Sequence, residues 1–232
     1  MKDKVIKVTS THWHTFDDQE SVALEAVRRI LQSASHAISK RGLFRIVLAG
    51  GRTPEATYRL LVEADTDWSR WKIYFCDERC LPADDTERNS VMASRALLDL
   101  VAVPAANIYA IPAELGAETA ARVYQSVVRA AMPFDLVLLG IGEDGHTASL
   151  FPGQSHPDKQ LVHAVHNAPK PPLDRVSLSV DALSETREVL ILATGAGKRH
   201  AIQAWQAGEP LPIAEIGRAS QVDVLMDSAA QG

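Results

Sequence analysis

The densest gathering of acid–base chemistry in this 232-residue chain is Gly140-Ile141-Gly142-Glu143-Asp144-Gly145-His146. An aspartate two residues before a histidine, framed by Gly142 and Gly145 after an apolar run, suits a general base: the imidazole moves a proton and the carboxylate orients it. The competing reading is a histidine in a surface turn. The same glycines match G-x-G-x-x-G, which raises dinucleotide binding. That fingerprint should open a crossover helix and meet an acidic residue about 20 positions later. Here Pro152-Gly153 interrupts and residues 162–165 carry no acid, so the glycines are read as shaping a loop.

Four further segments beside expected strands carry polar chemistry. Gly50-Gly51-Arg52-Thr53 precedes Pro54, which is read with Thr53 as the start of a helix; glycines and a helix N-terminus suit a phosphate or a sugar hydroxyl, or form an ordinary tight turn. Asp77-Glu78-Arg79 follows an apolar strand; Arg79 could clamp a phosphate or carboxylate, with the two acids orienting it or the ligand. Arg175 precedes residues 176–180, and Lys198 closes Thr194-Gly195-Ala196-Gly197, a turn that lacks full P-loop spacing. There is no G-x-S-x-G elbow and no H-E-x-x-H, and the pairs His12/His14 and His163/His166 lack a third ligand. A mechanism without metal, cofactor or covalent serine is expected.

These groups need a scaffold. Apolar residues recur at helical spacing over 22–38 until Gly42, and helices are expected over 90–100, 118–131 and from Lys198 onward. Strands are expected at 4–10, 44–49, 72–76, 107–111, 134–139, 176–180, 189–193 and 222–226. The alternation predicts an α/β chain, a doubly wound and mostly parallel sheet with helices on both faces. Its ligands should meet the carboxyl ends of the strands. The whole of 1–232 is expected to form one domain, with 152–172, rich in Pro and His, an excursion near the site. A hydrophobic content of 46% supports a sizeable core, and the net charge of −5 argues against a nucleic-acid footprint. Cys76 and Cys80 are expected to be reduced thiols. With no apolar run of roughly 18 residues and no leader-like segment, the expected location is cytoplasmic and away from membranes.

Taken in order, LAGGRTP from residue 48, FCDER from 75, Asn89-Ser90, LLGIGEDGHTASLFPG from 138, RVSLS from 175 and the GAGK turn at 195–198 resemble the 6-phosphogluconolactonase branch of the glucosamine-6-phosphate isomerase/6-phosphogluconolactonase family. The resemblance runs from about residue 44 to 205 and implies a Rossmann-like sheet, shared with glucosamine-6-phosphate deaminase, that binds a sugar-phosphate lactone and no nicotinamide. It implies that His146 takes a proton from the water attacking the lactone carbonyl, while Asp144 either orients His146 or holds the substrate. The phosphate would be held by Arg175 and Lys198, helped by Arg79 and the backbone at Gly51. Gly50, Arg52, Thr53, Asp77, Glu78, Asn89, Gly142 and Gly145 complete the expected substrate contacts. Arg52 stands where the family more often has serine. Phe151 stands where the deaminases carry a glutamate, which favours lactone hydrolysis over the deaminase activity and over a non-catalytic regulator that merely binds sugar phosphates. The expected partner is the small-molecule substrate alone, compatible with a monomer.

Overall fold

A computed structural model describes residues 11–155, 160–219 and 222–232. Its centre is β5 (Phe134–Gly140), a strand whose side chains are buried on both faces, as expected of an apolar run inside a parallel sheet. The one acid in that run, Asp135, is satisfied at the strand's start: it accepts from the Arg45 amide at 2.8 Å and pairs with Arg41. Beside β5 lies β2 (Phe44–Leu48), then β3 (Trp71–Phe75) at one edge. On the other side follow β8 (Thr186–Ala193), β9 (Val222–Asp227) and β1 (Thr11–Phe16), giving the order β1-β9-β8-β5-β2-β3. All its pairings are parallel.

The chain crosses from β1 to β2 to β3 in one direction and returns through β5, β8 and β9 in the other. Right-handed crossovers therefore place helices on both faces of the sheet. On the outward face α1 (Gln19–Arg41) packs against α2 (Arg52–Leu61). Asp18 caps α1 by accepting from the Ser21 amide, Gly42 ends it at φ +78°, and Val22, Ala26, Ile30, Ala34 and Ala37 bury one stripe. The return path carries α3 (Asn89–Ala93), α4 (Ala117–Ala131), α5 (Val180–Ser184), α6 (Arg199–Gln206) and α7 (Pro212–Ala219), and α8 (Ser228–Gln231) follows β9.

A second, antiparallel sheet was not anticipated. It orders β4 (Asp77–Arg79), β7 (Arg175–Leu178) and β6 (Val162–Val165). Only Cys76 separates β3 from β4, and that residue belongs to both sheets: its amide donates to Leu48 O at 2.9 Å and its carbonyl accepts from the Leu178 amide at 2.8 Å. The strand expected at 176–180 therefore pairs outside the main sheet and ends at the start of α5.

Other boundaries also differ from expectation. The strand expected at 4–10 lies outside the described residues, and the first described strand is β1. Helix α2 is capped by Gly51 rather than by Thr53, and Pro54 sits in the first turn, where no amide hydrogen is needed. The helix expected at 90–100 is short, widening after Ala93 into a π turn over Ser94–Leu98. Residues 107–111 make a single bridge, Ile108 to Ile73, rather than a strand.

Candidate active site

Because β2 continues to one side and β5 to the other, the loops after these neighbouring strands diverge, and a crevice opens between them at the carboxyl ends. A cavity of about 490 Å³ occupies it. Gly50, Gly51, Arg52 and Thr53 border it from the β2 side, and Gly142 and His146 from the β5 side. The small antiparallel sheet contributes Asp77, Arg79 and Arg175, while Asn89 and Lys198 complete the group.

The β5 loop folds tightly around its glycines. The Gly142 amide donates to His146 O at 2.7 Å, and Gly145 turns the chain at φ +82°. This returns His146 beside Gly142, where an added Cβ would lie 2.0 Å from His146 Nδ1 and 2.6 Å from Asp144 Oδ1. His146 Nδ1 lies 2.5 Å from Asp144 Oδ1, so the carboxylate orients the ring and leaves Nε2 as the other proton-carrying site. Partial burial acts to raise the Asp144 pKa, but the charge and hydrogen bonds of His146 outweigh it and hold the carboxyl below its ordinary value. Asp144 does not border the main cavity; it faces a neighbouring one of about 470 Å³ that also touches Glu143 and Lys170. Gly145 likewise acts through the turn it makes, off the cavity wall.

Asp77 is buried and holds the opposite elements together. It accepts from Ser149 Oγ at 2.6 Å and from Asn89 Nδ2 at 2.9 Å. Asn89 in turn fills the space above Gly50, where a Cβ would meet its Oδ1 at 2.0 Å. The thiol of Cys76 points at Asp77 from 3.3 Å, and burial pushes its pKa well up, so it is a neutral donor rather than a nucleophile. Thr53 and Thr194 join the starts of the β2 and β8 loops through a 2.6 Å hydroxyl contact.

Glu78 corrects an expectation. It is fully buried away from the cavity and accepts from the amides of Arg79 (2.9 Å), Asn89 (2.8 Å) and Ser90 (2.9 Å), beside Arg88. Two of these amides open α3 and the third belongs to β4, so the carboxylate joins the two elements and is structural. Arg79 is also partly committed, donating to the carbonyl of Glu87 at 2.6 Å and to its carboxylate at 3.2 Å. Arg175 donates through Nε to Pro172 O (3.1 Å) and through Nη2 to Lys170 O (3.0 Å) and Pro171 O (3.3 Å). Its guanidinium lies 5.6 Å from the ring centre of Phe151, whose ring in turn packs 4.9 Å from that of His146.

Lys198 sits on a turn fixed from below: both Asp227 oxygens accept from the Gly195 amide at 3.0 Å. Burial lowers the Lys198 pKa; Glu143 opposes this, and Lys170 and Arg52 add to it. Ser149, Lys170 and Asp227 were not singled out from the sequence. Ser149 lies within the Asp-Gly-His segment and could have been weighed there, whereas Lys170 and Asp227 carry no local pattern and reach their places through tertiary contacts.

Residues 17–226 match the family described as glucosamine-6-phosphate isomerases/6-phosphogluconolactonase. The chain is 36% identical over 238 residues to the 6-phosphogluconolactonase of Streptomyces coelicolor, covering 92% of this chain and 90% of that one. It is 33% identical over 207 residues to the probable chloroplastic 6-phosphogluconolactonase 3 of indica rice, covering 81% of this chain and 63% of the relative, so it spans just under two thirds of that relative's length. Its fold matches the solved structure of 6-phosphogluconolactonase from Trypanosoma brucei with a TM-score of 0.86 at 27% identity, over 96% of this chain and 98% of that one.

Proposed function

The chain belongs to the glucosamine-6-phosphate isomerase/6-phosphogluconolactonase family, and we propose that within it the protein is a lactonase, hydrolysing 6-phospho-D-glucono-1,5-lactone to 6-phospho-D-gluconate in the oxidative pentose phosphate pathway. The observation that carries this reading is the His146–Asp144 pair on the edge of a cavity bordered by Arg52, Lys198 and Arg175. A δ-lactone is an activated ester, so its hydrolysis needs a positioned water, a base and charge stabilisation rather than a covalent nucleophile. His146 takes the proton as water attacks C1. When the bond from C1 to the ring oxygen breaks, the same imidazolium returns the proton to that oxygen. Asp144 fixes the tautomer and stabilises the imidazolium between the two transfers.

The substrate's phosphate carries close to two negative charges at neutral pH, and the cavity cations answer them together with the first turn of α2, whose Gly51 cap offers no side-chain hydrogen bond. Phe151 supports lactone hydrolysis against the deaminase activity of the family's other branch: a buried phenyl ring beside His146 neither donates nor accepts a proton. The reading includes a single domain that acts as a monomer in the cytoplasm without metal, cofactor or nucleic acid. No helix among the described residues is long and apolar enough to cross a membrane.

The test is a coupled assay in which glucose 6-phosphate is oxidised to generate fresh lactone, followed with and without the protein. Accelerated lactone loss beyond the spontaneous rate is the expected result. An unchanged rate, or release of ammonia from glucosamine 6-phosphate at a comparable rate, would refute the assignment.

A further inference from the structure

Among the described residues, four cations border the main cavity without an ion-pair partner, Arg52, Lys170, Arg175 and Lys198, and of these Arg175 is already committed to backbone carbonyls. Lys170 stands out because nothing in its own sequence neighbourhood, Ala168-Pro169-Lys170-Pro171-Pro172, predicts an anion contact. Its backbone explains its place. The β6–β7 connection is gathered around the Arg175 guanidinium, which reaches back to the carbonyls of three consecutive residues, 170 to 172. Phe151 packs beside that guanidinium, and the Ala168 amide donates to Leu173 O at 3.0 Å across the base of the loop. Arg175 thus commits Nε and Nη2 to the loop, and the loop carries an exposed ammonium to the cavity.

We propose that Lys170 is a phosphate-binding residue of this site, acting with Lys198 and Arg52, and that Arg175 is a positioning residue that serves the phosphate by holding the Lys170 loop. The inference rests on the lactonase reading for the identity of the ligand, and its chemistry requires only a dianionic phosphate group. Lys170, Arg52 and Lys198 all border the same cavity, and the charges of Lys170 and Arg52 both act to lower the Lys198 pKa. Three unpaired cations held together repel one another, and an arriving dianion relieves that repulsion as well as adding its own hydrogen bonds.

The experiment is calorimetric titration of the parent, Lys170→Met, Lys170→Arg, Arg175→Lys and the Lys170→Met/Arg175→Lys pair with 6-phosphogluconate, with gluconate and with inorganic phosphate. Lys170 is exposed, so its replacement leaves folding intact. Lys170→Met should weaken 6-phosphogluconate about tenfold or more. Gluconate should bind it as it binds the parent, and Lys170→Arg should restore most of the affinity. Arg175→Lys should lose affinity for 6-phosphogluconate similarly, and the double variant should be no weaker than Lys170→Met alone, because one residue acts through the other. Unaltered 6-phosphogluconate binding by Lys170→Met would overturn the phosphate assignment. Additive losses in the double variant would overturn the positioning role and give Arg175 a direct contact. If the parent bound no 6-phosphogluconate, the lactonase reading would fail separately, and Lys170-dependent binding of inorganic phosphate would still decide this one.

Discussion

Replacing Gly142 by alanine isolates the His146–Asp144 pair from every other feature of the site. Gly142 has no positive φ, so alanine meets no backbone strain there, and its only offence is the methyl group. That methyl would sit 2.0 Å from His146 Nδ1, where ordinary contact begins near 3.4 Å. The ring must therefore retreat by more than an ångström, and the 2.6 Å approach to Asp144 Oδ1 drives the carboxylate away at the same time. Proton transfer requires heavy atoms within about 2.6–3.2 Å, and a misplacement of about 1 Å can cost on the order of 10² in rate. Gly142→Ala should lower kcat by about 10² or more, while 6-phosphogluconate affinity changes by less than about threefold because the cavity cations are untouched. Turnover is measured on freshly generated lactone with the spontaneous rate subtracted, and product binding by calorimetry. A folded Gly142→Ala protein that keeps more than about a third of parental turnover would show that the chemistry does not depend on His146 in this position.

Direct removal of the base, His146→Ala, should cost about 10²–10⁴ in turnover with product binding largely kept, and retention of activity in the same assay would place the base elsewhere. Product affinity should fall with rising pH earlier than an ordinary lysine would dictate, since burial lowers the Lys198 pKa and the cation is lost as pH rises through it; Lys198→Arg should move that limb upward in a calorimetric pH series. Glu78→Ala should lower unfolding free energy by roughly 3 kcal/mol in urea titrations, because it strips a buried carboxylate from Arg88, from two amides at the start of α3 and from the Arg79 amide. Hydrogen bonding from Arg28, against a smaller effect of burial and with help from Arg29, depresses the Glu25 pKa from 4.5 to about 2. Its contribution to stability is therefore present above about pH 4.5 and lost as pH falls toward 2, and Glu25→Gln should flatten that part of the acid-unfolding curve.

The main sheet was legible because its strands announce themselves locally: 44–48, 134–139, 189–193 and 222–226 are apolar runs bounded by glycine or polar turns. The direction reversal between β2 and β5 was legible only as a class of fold, yet it places Gly50 and Gly142 across one crevice. The antiparallel sheet was hidden because Asp77-Glu78-Arg79 has no strand-like composition; its pairing with Arg175 spans nearly a hundred residues and is decided by tertiary contact. Glu78 misled for the same reason. An acid beside Asp77 and Arg79 looks like site chemistry, and only the fold reveals that the α3 amides claim it. Residues 107–111 misled in the opposite direction, since their short apolar run serves a single bridge to Ile73 at the sheet edge.

Cys76 hydrogen-bonds simultaneously to Leu48 of the parallel sheet and Leu178 of the antiparallel one, so the two walls of the cavity share one rigid stretch of chain. A shared stretch cannot act as a hinge. Amide hydrogens at Cys76 and Leu178 should exchange with deuterated solvent only through opening of the whole fold, whereas the Lys170 amide, in a loop held through its carbonyls by one guanidinium, should exchange through local opening. The β6–β7 connection, tied by Arg175 to the carbonyls of residues 170 to 172, is then the less firmly anchored border of the site.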